Sequence, residues 1–162
     1  MPIADFFLKI DGIEGESQDA KHKGDIEIES FSWGANQTGS FGYGGGGGAG
    51  KVAMQDFHFV MKVNKASPKL FLACATGEHI KRAVLVTRKA GKEQQEFLKV
   101  TFEDILVSSY TTGGSDGADT IPLDQISLNF AKMTLEYREQ KLDGTLGGVV
   151  KAGYDVKANK LI

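Results

Sequence analysis

Gly45 to Lys51 satisfies the first part of the phosphate-binding pattern G-x-x-x-x-G-K-[ST]. In that pattern backbone N–H groups and the lysine cradle phosphates, and the final hydroxyl coordinates Mg²⁺. The last position here is Val52, which has no oxygen to offer. The pattern also needs a helix after the loop. Val52 to Met61 is instead rich in Phe, Val and Met and alternates over part of its length, with Asp56 and His58 between apolar neighbours, which reads as a strand. A nucleotide-binding enzyme using Gly45–Lys51 is therefore the alternative function, not the leading one.

Other reactive residues form no convincing constellation. His22 falls in a charged turn, His58 in a strand and His79 just after a helix, with no pair at the short spacing of a local metal motif. Cys74 lies between Ala73 and Ala75 in an apolar helix and reads as a small core residue. Glu103 and Asp104 are neighbours on a strand, so they point to opposite faces and share a proton-transfer task poorly; a solvated turn or bulge is the better reading. Gly113 to Asp119 is similar to a Ca²⁺-binding nonapeptide, but it occurs once and such sites need stacked repeats. Ser32 lacks the G-x-S-x-G context of a hydrolase nucleophile. Flanked by Phe31 and Trp33, it reads as part of a contact surface or of an aromatic core. The expectation is no catalytic residue, no cofactor and no metal.

The glycines from Gly44 to Gly48, with Gly50, cannot pack a core, because they carry no side chain. Such a run loses much conformational entropy on ordering and reads as a loop waiting for a partner.

Around it, strand signals dominate: Ile3 to Ile10, Asp25 to Trp33, Val52 to Met61, Arg82 to Arg88, Glu96 to Tyr110, Ile126 to Tyr137, and a short closing strand around Tyr154. In the second of these Ile26 and Ile28 share one face and Glu27 and Glu29 the other, while past Ser30 both faces are expected to be covered. One helix is signalled, with Ser67 as its cap, Pro68 at its first position and Gly77 as its stop. Lys89 to Lys92 connects two strands as a hairpin, and Asp143-Gly144 makes another turn. The fold class expected is mainly β: an antiparallel β-barrel or tight sandwich with one lateral α-helix and a long Gly-rich loop.

At 162 residues the chain is expected to form one domain, 1–162, with 41% hydrophobic and 25% charged residues in the ordinary globular range. A net charge of −2 and the lack of a Lys/Arg cluster argue against nucleic acid. The first residues lack the basic and apolar regions of a signal peptide, and no segment is long enough to span a bilayer, so synthesis in the cytoplasm without membrane insertion is expected. A single cysteine rules out an intramolecular disulfide.

Read together, Gly15-Glu16-Ser17, Phe31-Ser32-Trp33-Gly34, the glycine run, Lys65-Ala66-Ser67-Pro68-Lys69-Leu70 and Gly77-Glu78-His79-Ile80 carry a resemblance. Arg88-Lys89-Ala90-Gly91, Leu106-Val107-Ser108-Ser109, Ser127-Leu128-Asn129-Phe130 and Gly153-Tyr154-Asp155-Val156-Lys157 extend it over essentially the whole chain. In this order and spacing the chain resembles the haemolysin-coregulated protein family, the tube subunit of type VI secretion systems. Tyr154 stands where Trp is expected and Ala66 where Ser is common.

The resemblance implies a phage tail-tube-like subunit that forms homohexameric rings. The rings stack into a hollow tube tipped by a spike protein, a contractile sheath expels it, and effector proteins travel in the lumen. It also implies export by the type VI system to the medium or a target cell, and no toxin domain after the closing strand. The loop from Ala35 to Lys51 then projects toward the next ring, with Gly44, Gly45, Gly46, Gly47, Gly48 and Gly50 as ring-stacking contacts and Ser32 and Trp33 as lumen or interface residues. A secreted adhesin or fibre subunit assembling through edge strands without a pore is a third reading.

Overall fold

The computed structural model describes residues 4–39, 49–89, 95–117 and 121–162. Its elements are β1 (Ala4–Ile10), β2 (Ile26–Ile28), β3 (Ser30–Gly39), β4 (Ala49–Lys62), α1 (Ser67–Thr76), β5 (His79–Lys89), β6 (Glu96–Gly113), β7 (Leu123–Gln140), β8 (Leu146–Asp155) and β9 (Lys160–Leu161). All strands join one antiparallel sheet in the order β2-β1-β5-β6-β7-β4-β3, and β8 is added on β7 beyond β4, with β9 on β8.

The expected class holds, with one refinement. The path of hydrogen-bonded strands does not close: β2 and β3 are its two ends, joined covalently through Glu29, whose N–H donates to the Val60 carbonyl at 2.7 Å. One stretch of chain thus leaves β1 and joins β4, and the curled sheet wraps a single core. The interposed Glu29 also shifts the phase of alternation. Ile26 and Ile28 are buried, but after Glu29 it is Phe31 and Trp33 that pack against the core, while Ser32 is exposed. The expectation that both faces are covered past Ser30 is therefore corrected, because one extra residue moves side chains to the opposite face.

The core follows from the period-2 pattern. Phe57, Phe59 and Met61 on β4, Val100, Phe102 and Ile105 on β6, and Ile126 and Leu128 on β7 are buried together with Leu8 and Leu85. Phe102 lies at its centre, with its ring centroid 4.7 Å from those of both Phe57 and Phe130.

Helix α1 docks laterally through Leu70 and Ala73. Ser67 does not cap it. The cap position is Ala66, whose N–H is taken by Asn64 Oδ1 at 2.8 Å, and the Ser67 hydroxyl donates to the fully buried Asp124 carboxylate at 2.5 Å. The Tyr110 hydroxyl donates to the other Asp124 oxygen at 3.0 Å. Burial, with that carboxylate behind it, pushes the Tyr110 hydroxyl above its ordinary value of 10.0. Gly77 stops the helix in a left-handed conformation, φ 69°, as expected.

The residues between β1 and β2 fold into a tight loop held by Gly15 N–H to the Gly24 carbonyl, Gly24 N–H to the Ser17 carbonyl and Ser17 N–H to the Asp25 carbonyl. Gly15 is required there by space: a Cβ at this position would lie 2.6 Å from the Asp25 oxygen and 2.8 Å from the Ile26 Cα. Gly15→Ala is accordingly expected to destabilise the subunit by about 1–3 kcal/mol, measured by urea denaturation, because backbone must shift to admit the methyl group. An unchanged midpoint would contradict this.

Candidate assembly surface

The near phosphate-binding pattern dissolves on local geometry. Gly50, Lys51 and Val52 lie in β4, which continues to Lys62, so a strand stands where the pattern needs a helix N-terminus. Residues 44–48 of the expected stacking set lie outside the described residues, and only Gly50 is placed, near the start of β4. The loop expected over Ala35–Lys51 is shorter than the sequence suggests, since β3 runs to Gly39 and β4 begins at Ala49. Polar residues such as Asn36 and Gln37 are paired to Ala53 and Val52 as strand, because backbone pairing tolerates polar side chains on an exposed face.

The histidines are far from forming one site. His79 lies 3.5 Å from Asp104, which has a positive φ of 55° while β6 keeps its register with β5 and β7 from Glu103 to Ile105, so the expected turn or bulge is not found there. Cys74 is half-buried against the core. Among the described residues no cluster of His, Cys, Asp and Glu could hold a metal ion, and no helix is long and apolar enough to cross a membrane. Of the Gly113–Asp119 stretch, residues 118 and 119 lie outside the described residues.

The structure separates Ser32 from Trp33. Trp33 turns inward, its ring 6.5 Å from Phe102 and nearly perpendicular to it. Ser32 turns outward and starts a row across the sheet: Ser32 on β3, His58 on β4, Ser127 on β7 and Ser109 on β6 are successive register partners. Ser127 Oγ and His58 Nδ1 are 2.5 Å apart. Beside this row the Asp56 carboxylate accepts from Ser108 Oγ at 2.6 Å and from Asn129 Nδ2 at 2.9 Å. The face that results is rich in hydrogen-bonding groups, with Ser127 buried within it and Leu106, the register partner of Asn129, exposed beside them. Of this face the sequence marks only Ser32 as a contact residue; Asp56 and His58, and Ser127 and Asn129, show themselves only as polar positions alternating with apolar neighbours.

Two sheet edges complete the surface. β3 pairs only with β4, so its outer edge meets no strand among the described residues. β8 pairs with β7 on one side, while on the other β9 pairs only Tyr154 and Asp155 and the Ile162 N–H reaches Gly153. The stretch Leu146 to Ala152 thereby meets no strand on its outer side among the described residues and forms a second edge, with Val149 and Val150 exposed along it. Rows of unpaired backbone groups are templates for pairing with another chain. Because the two edges differ in sequence, a contact between them is head-to-tail, and repetition of such a contact makes a ring where the rotation closes.

Comparison with known proteins fits this geometry. The family described as "Type VI secretion system effector, Hcp" matches residues 7–137. The chain is similar to Protein hcp1 of Pseudomonas aeruginosa, at 45% identity over 157 residues and 96% of each chain. Among solved structures it is similar to Hcp1 from Salmonella typhimurium, with a TM-score of 0.84 at 41% identity and all of both chains covered. It also superimposes on a type six secretion system protein with a TM-score of 0.92 at 30% identity, covering 99% of this chain and 100% of the other.

Proposed function

The chain belongs to the Hcp family of type VI secretion proteins, and from that premise we propose that it is the repeating subunit of a hollow secretion tube. The family is a structural, secreted one and not an enzyme family, which accords with the scattered histidines and the strand after Lys51. Subunits join into a hexameric ring, rings stack into a tube, a sheath expels the tube behind a spike protein, and effector proteins occupy the lumen.

The observation that carries this reading is the pair of unlike free edges, β3 and β8, on one curled sheet. The polar face through Ser32, His58 and Asn129 supplies the second requirement of a tube, an inner wall. Short side chains that offer hydrogen bonds to water let a hydrated cargo pass without strong adhesion. Ser32 is then a lumen residue, and Trp33 acts from behind by fixing β3 against Phe102.

Gly44 to Gly48 and Gly50 are assigned to stacking between rings. Glycine admits close backbone approach, but ordering it costs about 1–2 kcal/mol per residue, so a single ring-to-ring contact is weak and gains strength through repetition along the tube. Replacing both Gly46 and Gly48 by valine is expected to leave rings intact while tubes and export are lost. Sedimentation velocity together with an export assay checks this: rings without export support the assignment, and loss of the rings themselves contradicts it.

A further inference from the structure

The loop of residues 11–25 is fastened to the sheet by a polar cluster apart from the row of Ser32, His58 and Ser127. His22 is buried, with its ring stacked on Phe7 of β1 at a centroid distance of 4.3 Å and an interplanar angle of 9°. Its Nδ1 lies 2.9 Å from Asp25 Oδ2 and its Nε2 lies 2.7 Å from Glu96 Oε1. An ionised carboxylate only accepts hydrogen bonds, and a neutral imidazole has one N–H. Both contacts can be hydrogen bonds at once only when the triad carries one proton more than a neutral imidazole between two carboxylates.

Charged groups face the triad from its own loop and from three strands. On its own loop His22 has Asp19 and Asp25, with Lys21 and Lys23 pointing to solvent. From β1 come Phe7 and Asp5, from β6 Glu96, and from β5 Arg88, which sits over the Phe7 ring at 4.7 Å. Arg88 is itself paired with Asp19 and Asp5. Two carboxylates, Asp19 and Asp5, thus pair with the buried guanidinium and two more, Asp25 and Glu96, with His22, so a protonated His22 brings the local charge closer to balance.

We propose that His22, Asp25 and Glu96 form a proton-operated clasp that closes the 11–25 loop onto the start of β6. When the extra proton is lost, the His22 bond to Asp25 or to Glu96 goes, and the loop opens more readily on the β6 side. Stability of this loop is greater with the extra proton in place and falls as pH rises and the proton is lost. Charge-assisted hydrogen bonds are among the stronger ones, so the opening constant is expected to rise about tenfold across the transition.

The test is site-resolved amide exchange of the whole protein, corrected for the intrinsic pH dependence of exchange, together with ¹⁵N spectra of the His22 ring. The expected result is two protonated ring nitrogens at about pH 6 and faster opening of residues 15–25 at about pH 8, with core amides of β6 and β7 unaffected. His22→Gln keeps a side chain able to bridge but not to titrate, and is expected to abolish the pH dependence of the loop while leaving any due to His79 in place. A neutral His22 ring at about pH 6, or loop opening that changes identically in His22→Gln, overturns the proposal.

Discussion

Replacing Phe102 with alanine is expected to destabilise the subunit by about 3–5 kcal/mol, the largest effect of any single side chain considered. Phe102 is completely buried on β6, the strand whose neighbours on both sides complete the sheet, and its backbone partners are Ala83 on β5 and Met133 on β7. Its ring meets Phe57 and Phe130 at 4.7 Å and Trp33 at 6.5 Å. Truncation therefore removes the common contact of three aromatic side chains drawn from β4, β7 and β3. Those strands are held apart by their ladders, so the void closes only in part and the surrounding rings lose dispersion contacts. Phe102→Leu keeps most of the volume and is expected to recover much of the loss. Urea denaturation at fixed protein concentration measures both, since assembly itself adds concentration-dependent stability. A cost for Phe102→Ala below about 1 kcal/mol would show that the core is not organised around this ring.

Arg88→Ala is expected to have the next largest effect, about 3 kcal/mol or more. The guanidinium is buried and forked onto Asp19, with Nη1 3.0 Å from Oδ1 and Nη2 2.6 Å from Oδ2, and Asp5 approaches Nη2 at 3.4 Å. Its other partner is the face of Phe7. Removing it leaves Asp19 facing Asp5 and Glu96-bound His22 without the cation that ties β5 to the 11–25 loop. Nε finds no hydrogen-bond partner among the described residues, so within them the arrangement falls short of full satisfaction. Arg88→Lys retains the charge but not the fork and is expected to recover less than half of the loss.

The pH dependence of this ion pair separates it from the His22 clasp. Hydrogen bonds from Arg88 hold the Asp19 carboxyl well below its ordinary value of 3.8. A depressed carboxylate contributes stability that is present above the unfolded value and lost as pH falls through the folded one. The Arg88 effect is therefore constant from about pH 5 upward and fades only in strong acid, whereas the clasp weakens toward alkaline pH. Thermal unfolding of Arg88→Ala and His22→Gln across that range distinguishes the two.

Much of the fold is legible in the residues. Period-2 alternation in Asp56 to Met61 and in Ile126 to Phe130, and the Pro68-to-Gly77 frame of the helix, correspond to β4, β7 and α1. What escapes has physical reasons. The single residue Glu29 resets which face is buried, and nothing in its type announces a phase shift. β8 begins at Leu146, well before the closing strand expected around Tyr154, because Gly147, Gly148 and Lys151 weaken any strand signal where the pairing with β7 alone decides. Ser67 has the composition of a cap but is diverted to Asp124, a partner 57 residues away that no local pattern reveals. The candidate surface is half visible for the same reason: Ser32 stands out beside Trp33, but its row with His58 and Ser127 exists only through strand register.

Native mass spectrometry of the purified full chain tests the central claim most directly. A tube subunit with two unlike free edges is predicted to appear as a closed hexamer, six times the 17.5 kDa subunit mass, and electron micrographs of the same sample are predicted to show rings with an open centre. A strictly monomeric protein under native conditions would contradict the account.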